Sequence, residues 1–173
     1  MMTIRAISST LKFVAAGADV AFLHTTSGTT TATFSNSAPI TIRTDRPFER
    51  AAAAGCHMFT AYLPVKPSRT AIGLSFTPDP REGAKYMTPS YTSDDKYASF
   101  GGAGFIYPSN ARALRGYSEG DTVGVRCNFS TNLIAFLVNG ETVMEVALPP
   151  DVDRVFPAIS CEKGGVVAEI CLE

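Results

Sequence analysis

The sequence predicts an all-β fold, an antiparallel sandwich or barrel, and three observations carry that prediction. Short runs rich in Val, Ile, Thr and Phe alternate with clusters of Gly, Pro, Ser and Asp along the whole chain. Helical periodicity is poor; the best helical stretch, residues 51–54, is too short to stand alone. Asn139-Gly140 lies between two apolar runs. That pair is a strong hairpin signal, because both central residues of a type I′ turn need φ > 0.

Strands are expected at residues 11–14, 20–25, 31–35, 40–43, 57–63, 71–76, 97–100, 104–107, 122–128, 133–138, 141–146, 156–160 and 165–171. Period-two alternation is clearest in 122–128. There Val123, Val125 and Cys127 share one face, and Thr122, Gly124, Arg126 and Asn128 share the other. In 133–138 both faces are apolar, which predicts a central strand covered on both sides. Between these strands, 77–96 is a long polar stretch containing Pro78, Pro80, Gly83 and Pro89. Loops of that length in a compact domain are usually functional or mobile.

A chain of 173 residues fits one domain, 1–173, large enough to bury a core without staples. Hydrophobic content of 45% and charged content of 18% are globular values. The net charge is −1 with Lys and Arg scattered, so no footprint for nucleic acid or an anionic membrane surface is present. No segment approaches the ~20 apolar residues of a transmembrane helix. The four cysteines, Cys56, Cys127, Cys161 and Cys171, contain no CxxC pair, and His24 and His57 are the two histidines. That pattern predicts reduced, core-filling thiols in a cytoplasmic protein, with no disulfides and no metal site. Residues 1–18 carry Arg5 and Lys12 and no acid, the flavour of a mitochondrial presequence. The preferred reading of 1–19 is an N-terminal extension or first strand.

Little here could do chemistry. Cys56 and His57 are adjacent, but neighbours on a strand point to opposite faces. No Gly-x-Ser-x-Gly elbow exists, and the glycines from Phe100 to Gly104 precede no helical pattern that could make a phosphate cradle. Asp94-Asp95 and the Asp151/Asp153 pair lack the dense oxygen spacing of a calcium loop. No catalytic residue and no cofactor is assigned.

Read in order, several segments resemble one family. They are Gly120-Asp121-Thr122-Val123-Gly124, then Phe136-Leu137-Val138-Asn139-Gly140, then Phe156-Pro157-Ala158-Ile159-Ser160. Upstream stand Ile42-Arg43-Thr44-Asp45-Arg46-Pro47, Gly55-Cys56-His57-Met58-Phe59 and Ala71-Ile72-Gly73-Leu74-Ser75. Their order and spacing resemble the SPRY domain family over about residues 20–171. The chain departs from the family pattern in having no Trp, in lacking an acidic residue within Phe59-Thr60-Ala61, and in ending Ile170-Cys171-Leu172-Glu173.

The resemblance implies a bent, concanavalin-like β-sandwich and a non-enzymatic module that binds a short peptide or a partner surface through its loops, as a stand-alone adaptor or complex subunit. By position, Tyr86 matches a loop tyrosine that contacts peptide in such members, and Glu162, Lys163 and Gly164 match a contacting turn. Tyr91, Arg43, Arg46 and Arg50 are candidates by chemistry and proximity, since Tyr and Arg are favoured at recognition surfaces. A structural subunit without a peptide pocket and a carbohydrate-binding lectin-like sandwich are the alternatives. The absence of Trp counts against the second.

Overall fold

A computed structural model describes residues 12–15, 19–25, 28–51, 55–65, 69–76, 97–107, 111–165 and 167–172. The described strands run, in chain order, β1 Phe13–Ala15, β2 Val20–His24, β3 Thr29–Phe34, β4 Ile40–Thr44, β5 Phe48–Glu49, β6 Cys56–Val65, β7 Thr70–Ser75, β8 Tyr97–Gly101 and β9 Phe105–Tyr107. They continue with β10 Ala111–Arg112, β11 Thr122–Asn128, β12 Leu133–Val138, β13 Glu141–Ala147, β14 Arg154–Cys161 and β15 Val167–Leu172.

Among the described residues these strands build two antiparallel sheets. The first runs β1-β4-β14-β7-β8-β9-β10, with β5 also paired to β14. The second runs β13-β12-β11-β6-β15-β3-β2. The fold is therefore the antiparallel sandwich; the barrel reading is discarded. Phe100 of the first sheet meets Phe136 of the second at 5.6 Å between ring centroids, so the two inner faces interlock through aromatic side chains.

Alternation places the core as the sequence predicts. On β11, Val123, Val125 and Cys127 are fully buried in the main core. Arg126 and Asn128 project to the outer face and are partly exposed. On β12, Ile134, Phe136 and Val138 are fully buried inward. Outward-facing Ala135 and Leu137 are also covered, whereas Leu133 is exposed at the strand's end. β12 lies one strand in from the β13 edge, so its double cover ends where the sheet's rim begins.

Two motifs that point to the family touch each other. Asn139 and Gly140 have φ of 52° and 84°, the double positive φ of the I′ hairpin. The Asn139 side chain donates to Asp121 Oδ1 at 2.8 Å and accepts from Thr122 N at 2.9 Å. The hairpin tip is thereby tied to the start of β11. Pro157 poses the opposite problem, an interior-strand residue with no N–H. It pairs with Leu74 of β7 on one side. On the other side β14 pairs with β5 at Arg154 and Val155 and with β4 from Ala158 onward. Pro157 thus sits beside the break between two neighbours, where no ladder partner needs a donor.

Tyr117 links the connection before β11 to the first sheet. It is buried, and its hydroxyl lies 3.0 Å from Thr70 O, 3.1 Å from Phe100 O and 3.1 Å from Thr70 Oγ1. Tyr117→Phe is expected to cost about 1–2 kcal/mol, the net worth of a buried hydrogen bond plus an orphaned carbonyl. A shift in the urea midpoint with an unchanged slope would show it. No shift would mean that water replaces the hydroxyl.

Candidate functional site

The registers sort the candidate residues into two groups. β14 runs antiparallel to β4 and β7, with Cys161 opposite Ile40 and Thr70, and Phe156 opposite Ser75. The ends of β4 and β5 and the exit of β7 therefore lie beside Arg154. The turn of residues 162–165 lies at the far end of β14. The separation is seven residue steps, roughly 20 Å at the rise of a strand.

Arg50 organises the Arg154 end. Its Nη1 donates to Phe129 O at 2.7 Å and Asn132 Oδ1 at 2.9 Å. Its Nη2 donates to Val152 O at 3.0 Å and Pro150 O at 3.3 Å. Nε makes an ion pair with Asp153 at 3.3 Å, and the guanidinium carbon lies 5.1 Å from the Phe129 ring centroid. One side chain thus joins the β5 segment, the turn after β11 and the connection into β14. Arg50 is a structural clamp; its fork is already engaged within the fold.

Arg43 also departs from the role its chemistry suggests. It is 5% exposed on β4, with its guanidinium carbon 4.3 Å from the Phe156 ring centroid. A side chain so placed packs on β14 and does not meet a partner at the surface. Arg46 is exposed in the short link between β4 and β5. Tyr86 and Tyr91 lie outside the described residues. The connection that carries them leaves after Phe76 and returns at Tyr97, and Tyr97 pairs with Ser75. Both anchor points are at the Arg154 end, with Arg46.

At the other end, the turn after β14 is docked on the β3–β4 link. Gly164 N donates to Asn36 O and Gly165 N to Phe34 O, each at 2.8 Å. A Cβ on Gly164 would stand 2.7–2.9 Å from the Ser35–Asn36 backbone, so the turn's close approach requires glycine. Glu162 N donates to Arg69 O at 3.0 Å, and the Arg69–Glu162 side chains approach at 3.7 Å. Lys163 is exposed. The structure therefore brings Glu162, Lys163 and Gly164 together and separates them from Arg46 and Arg50.

The histidines occupy separate packing roles. His57 stacks on Phe48 with ring centroids 4.8 Å apart and meets the Phe129 ring edge at 6.0 Å. Its Nε2 lies 3.4 Å from Glu49 O. His24 Nδ1 lies 2.9 Å from Thr30 Oγ1. Among the described residues neither histidine is bonded to a carboxylate. No three His, Cys, Asp or Glu side chains among those residues form a metal-ligand group.

All four cysteines are thiols. Burial pushes the Cys127 thiol up from 9.0 to about 12, reinforced by nearby Cys56 and opposed by Arg50. Above pH 9 the unfolded chain loses this proton before the folded one does. The contribution of Cys127 to stability is therefore present below pH 9 and is lost as pH rises from about 9 towards 12. Urea midpoints measured from pH 8 to 10.5 should fall more steeply for the wild type than for Cys127→Ala. A thiol reagent at pH 8 should modify exposed Cys56 and leave Cys127 protected until unfolding. Parallel pH profiles, or native labelling of Cys127, would contradict this.

Cys56 borders a depression of about 190 Å³ on the outer face of the second sheet, with Arg126, Asn128, Thr131, Leu133, Ala135 and Glu145. That is below the roughly 300–1,000 Å³ of a small-molecule pocket. A family model for the SPRY domain matches residues 57–173. The chain belongs to the SPRY family. SPRY domains are protein-interaction modules and in general not enzymes. Solved structures share the fold. The SPRY domain of human HERC1 aligns with a TM-score of 0.60 at 15% identity, covering 89% of this chain and 93% of that one. A second human SPRY domain gives 0.59 at 16%, covering 88% and 94%. The stonustoxin structure gives 0.59 at 15%, covering 94% of this chain and 27% of that one. No curated protein sequence matches the chain.

Proposed function

We propose that this SPRY domain is a non-enzymatic adaptor or complex subunit that binds a short peptide segment or partner surface through its loops. The observation that carries the reading is the convergence at the Arg154 end. There exposed Arg46 lies at the same end of the first sheet as both anchor points of the connection bearing Tyr86 and Tyr91. Loops on a rigid sandwich are where such folds place recognition, and Tyr and Arg supply stiff amphipathic contact and forked donors. The exposed Lys163 turn, roughly 20 Å away by strand rise, is a secondary contact. An exposed Cys56 thiol supports a reducing setting, and we place the protein in the cytoplasm.

The test is a quantitative affinity pull-down from the native cell. Wild type is compared with Tyr86→Ala/Arg46→Ala and, separately, Lys163→Ala. The double variant should lose a specific partner by at least tenfold, and Lys163→Ala should lose it by less. Identical partner lists for all three would sink the site, and the absence of any specific protein partner would sink the adaptor reading.

A further inference from the structure

A second surface lies at the far edge of the first sheet. Residues 111–114 stitch the two sheets together there: Ala113 N donates to Gly104 O at 2.8 Å, and Leu114 N donates to Val143 O at 3.1 Å. Successive donors thus point to opposite sides, as in an extended strand, so residues 112 and 114 face the same way. Ala113 and Ile106 turn into the core, at 7% and 0% exposure. Arg112 is opposite Phe105 in the register, with its guanidinium carbon 5.0 Å from the ring centroid. Leu114 is 88% exposed and Phe105 38% exposed. Arg115 is also exposed, and among the described residues neither it nor Arg112 forms an ion pair. On neighbouring β13, Glu145 approaches Arg126 at 4.0 Å, and Glu141 lies at the hairpin tip.

A leucine this bare beside an aromatic and two arginines has the composition of an interface centre. The geometry points to a docking surface formed by Phe105, Arg112, Leu114 and Arg115 for a protein segment in which an apolar residue is flanked by carboxylates. The apolar residue covers Leu114 and the Phe105 edge, and the carboxylates pair with the two guanidiniums. Charge complementarity selects this occupant over a basic or purely apolar one. β-Strand addition is excluded at Leu114, because its N–H is already bonded to β13. The inference rests on the interaction-module reading but uses a different surface from the Tyr86–Arg46 loops.

The test is an NMR titration of the ¹⁵N-labelled full chain with the synthetic peptide Glu-Leu-Asp-Phe-Glu-Leu-Asp. Amide shifts confined to residues 103–106 and 111–116 are expected, with affinity falling as salt rises. Leu114→Ser and Arg112→Glu/Arg115→Glu should each weaken binding at least tenfold. Because these side chains lie at the surface, thermal melting should be unchanged, which separates lost contact from lost fold. The matched peptide with lysine at each acidic position should give no shifts. Three results would overturn the surface: no shifts at millimolar peptide, shifts confined to the Arg154 end, or equal binding of the lysine peptide. Loss of native partners in the Tyr86→Ala/Arg46→Ala pull-down, with this titration silent, would leave the loop site standing and remove this one.

Discussion

Arg50→Lys is expected to destabilise the fold by about 3 kcal/mol while leaving the net charge unchanged. The guanidinium serves four acceptors on two segments, the turn after β11 and the connection into β14. A lysine ammonium is a compact charge on a flexible stem and cannot span that fork. Each hydrogen bond from a charged donor is worth roughly 1.5–3 kcal/mol net, and the substituted side chain keeps one or two. Asp153 is 77% exposed, so its ion pair adds little. The loss should appear as a fall of about 6–12 °C in Tm. Hydrogen exchange should quicken first at the turn after β11 and at residues 149–153. A change below about 1 kcal/mol would mean that the clamp is dispensable and would return Arg50 to the list of partner contacts.

Gly73→Ala should be at least as damaging, about 3 kcal/mol or more, by a different route. A Cβ at residue 73 would stand 1.9 Å from Ala98 O and 2.7 Å from Ser99 Cα, both backbone atoms of β8. No rotamer relieves that overlap, so β7 and β8 must part in the middle of the first sheet, beyond the usual overpacking cost of about 1–3 kcal/mol. Gly124→Ala is the control. Its nearest neighbour is the Leu137 Cβ at 3.3 Å, and the Met58 methyl at 3.6 Å can shift. That change should stay within about 1 kcal/mol. Chemical denaturation of the pair distinguishes them, and equal midpoints would show that the β7–β8 approach is not fixed by glycine.

The strands were readable because burial of one face writes period two into the sequence. β11 shows this, with Val123, Val125 and Cys127 all inside. The close approach of β8 at Gly73 emerges only from the structure, since the sequence shows that residue simply as part of an apolar strand. β5 and β10 have two residues each, too few for a period to register, and they went unseen. The candidate site was less legible, because its residues are assembled by strand order. Nothing in the local text near Arg50 shows that Phe129, Asn132, Pro150 and Val152 will converge on it. Nor can residue type alone separate Arg43, buried against Phe156, from exposed Arg46 three residues further on. The Arg112-Ala113-Leu114-Arg115 run carried a signal that periodicity passes over. Its leucine falls on the outward face of an extended stretch beside Arg112, and it is 88% exposed.

β14 and β15 have a consequence for how this protein is made. β14 lies between β4 and β7 in one sheet, and β15 lies between β6 and β3 in the other. On a ribosome, every earlier strand emerges while the centre of each sheet is still missing. The hydroxyls of Thr41 and Ser160, bonded to each other in the finished fold, leave the exit tunnel 119 residues apart. The nascent chain must therefore wait, with β4, β6 and β7 exposing unpaired edges, until residues 154–172 are free to slot in. The two sheets close last through β14 and β15, and dependence on chaperones should be greatest in the interval before those strands pair.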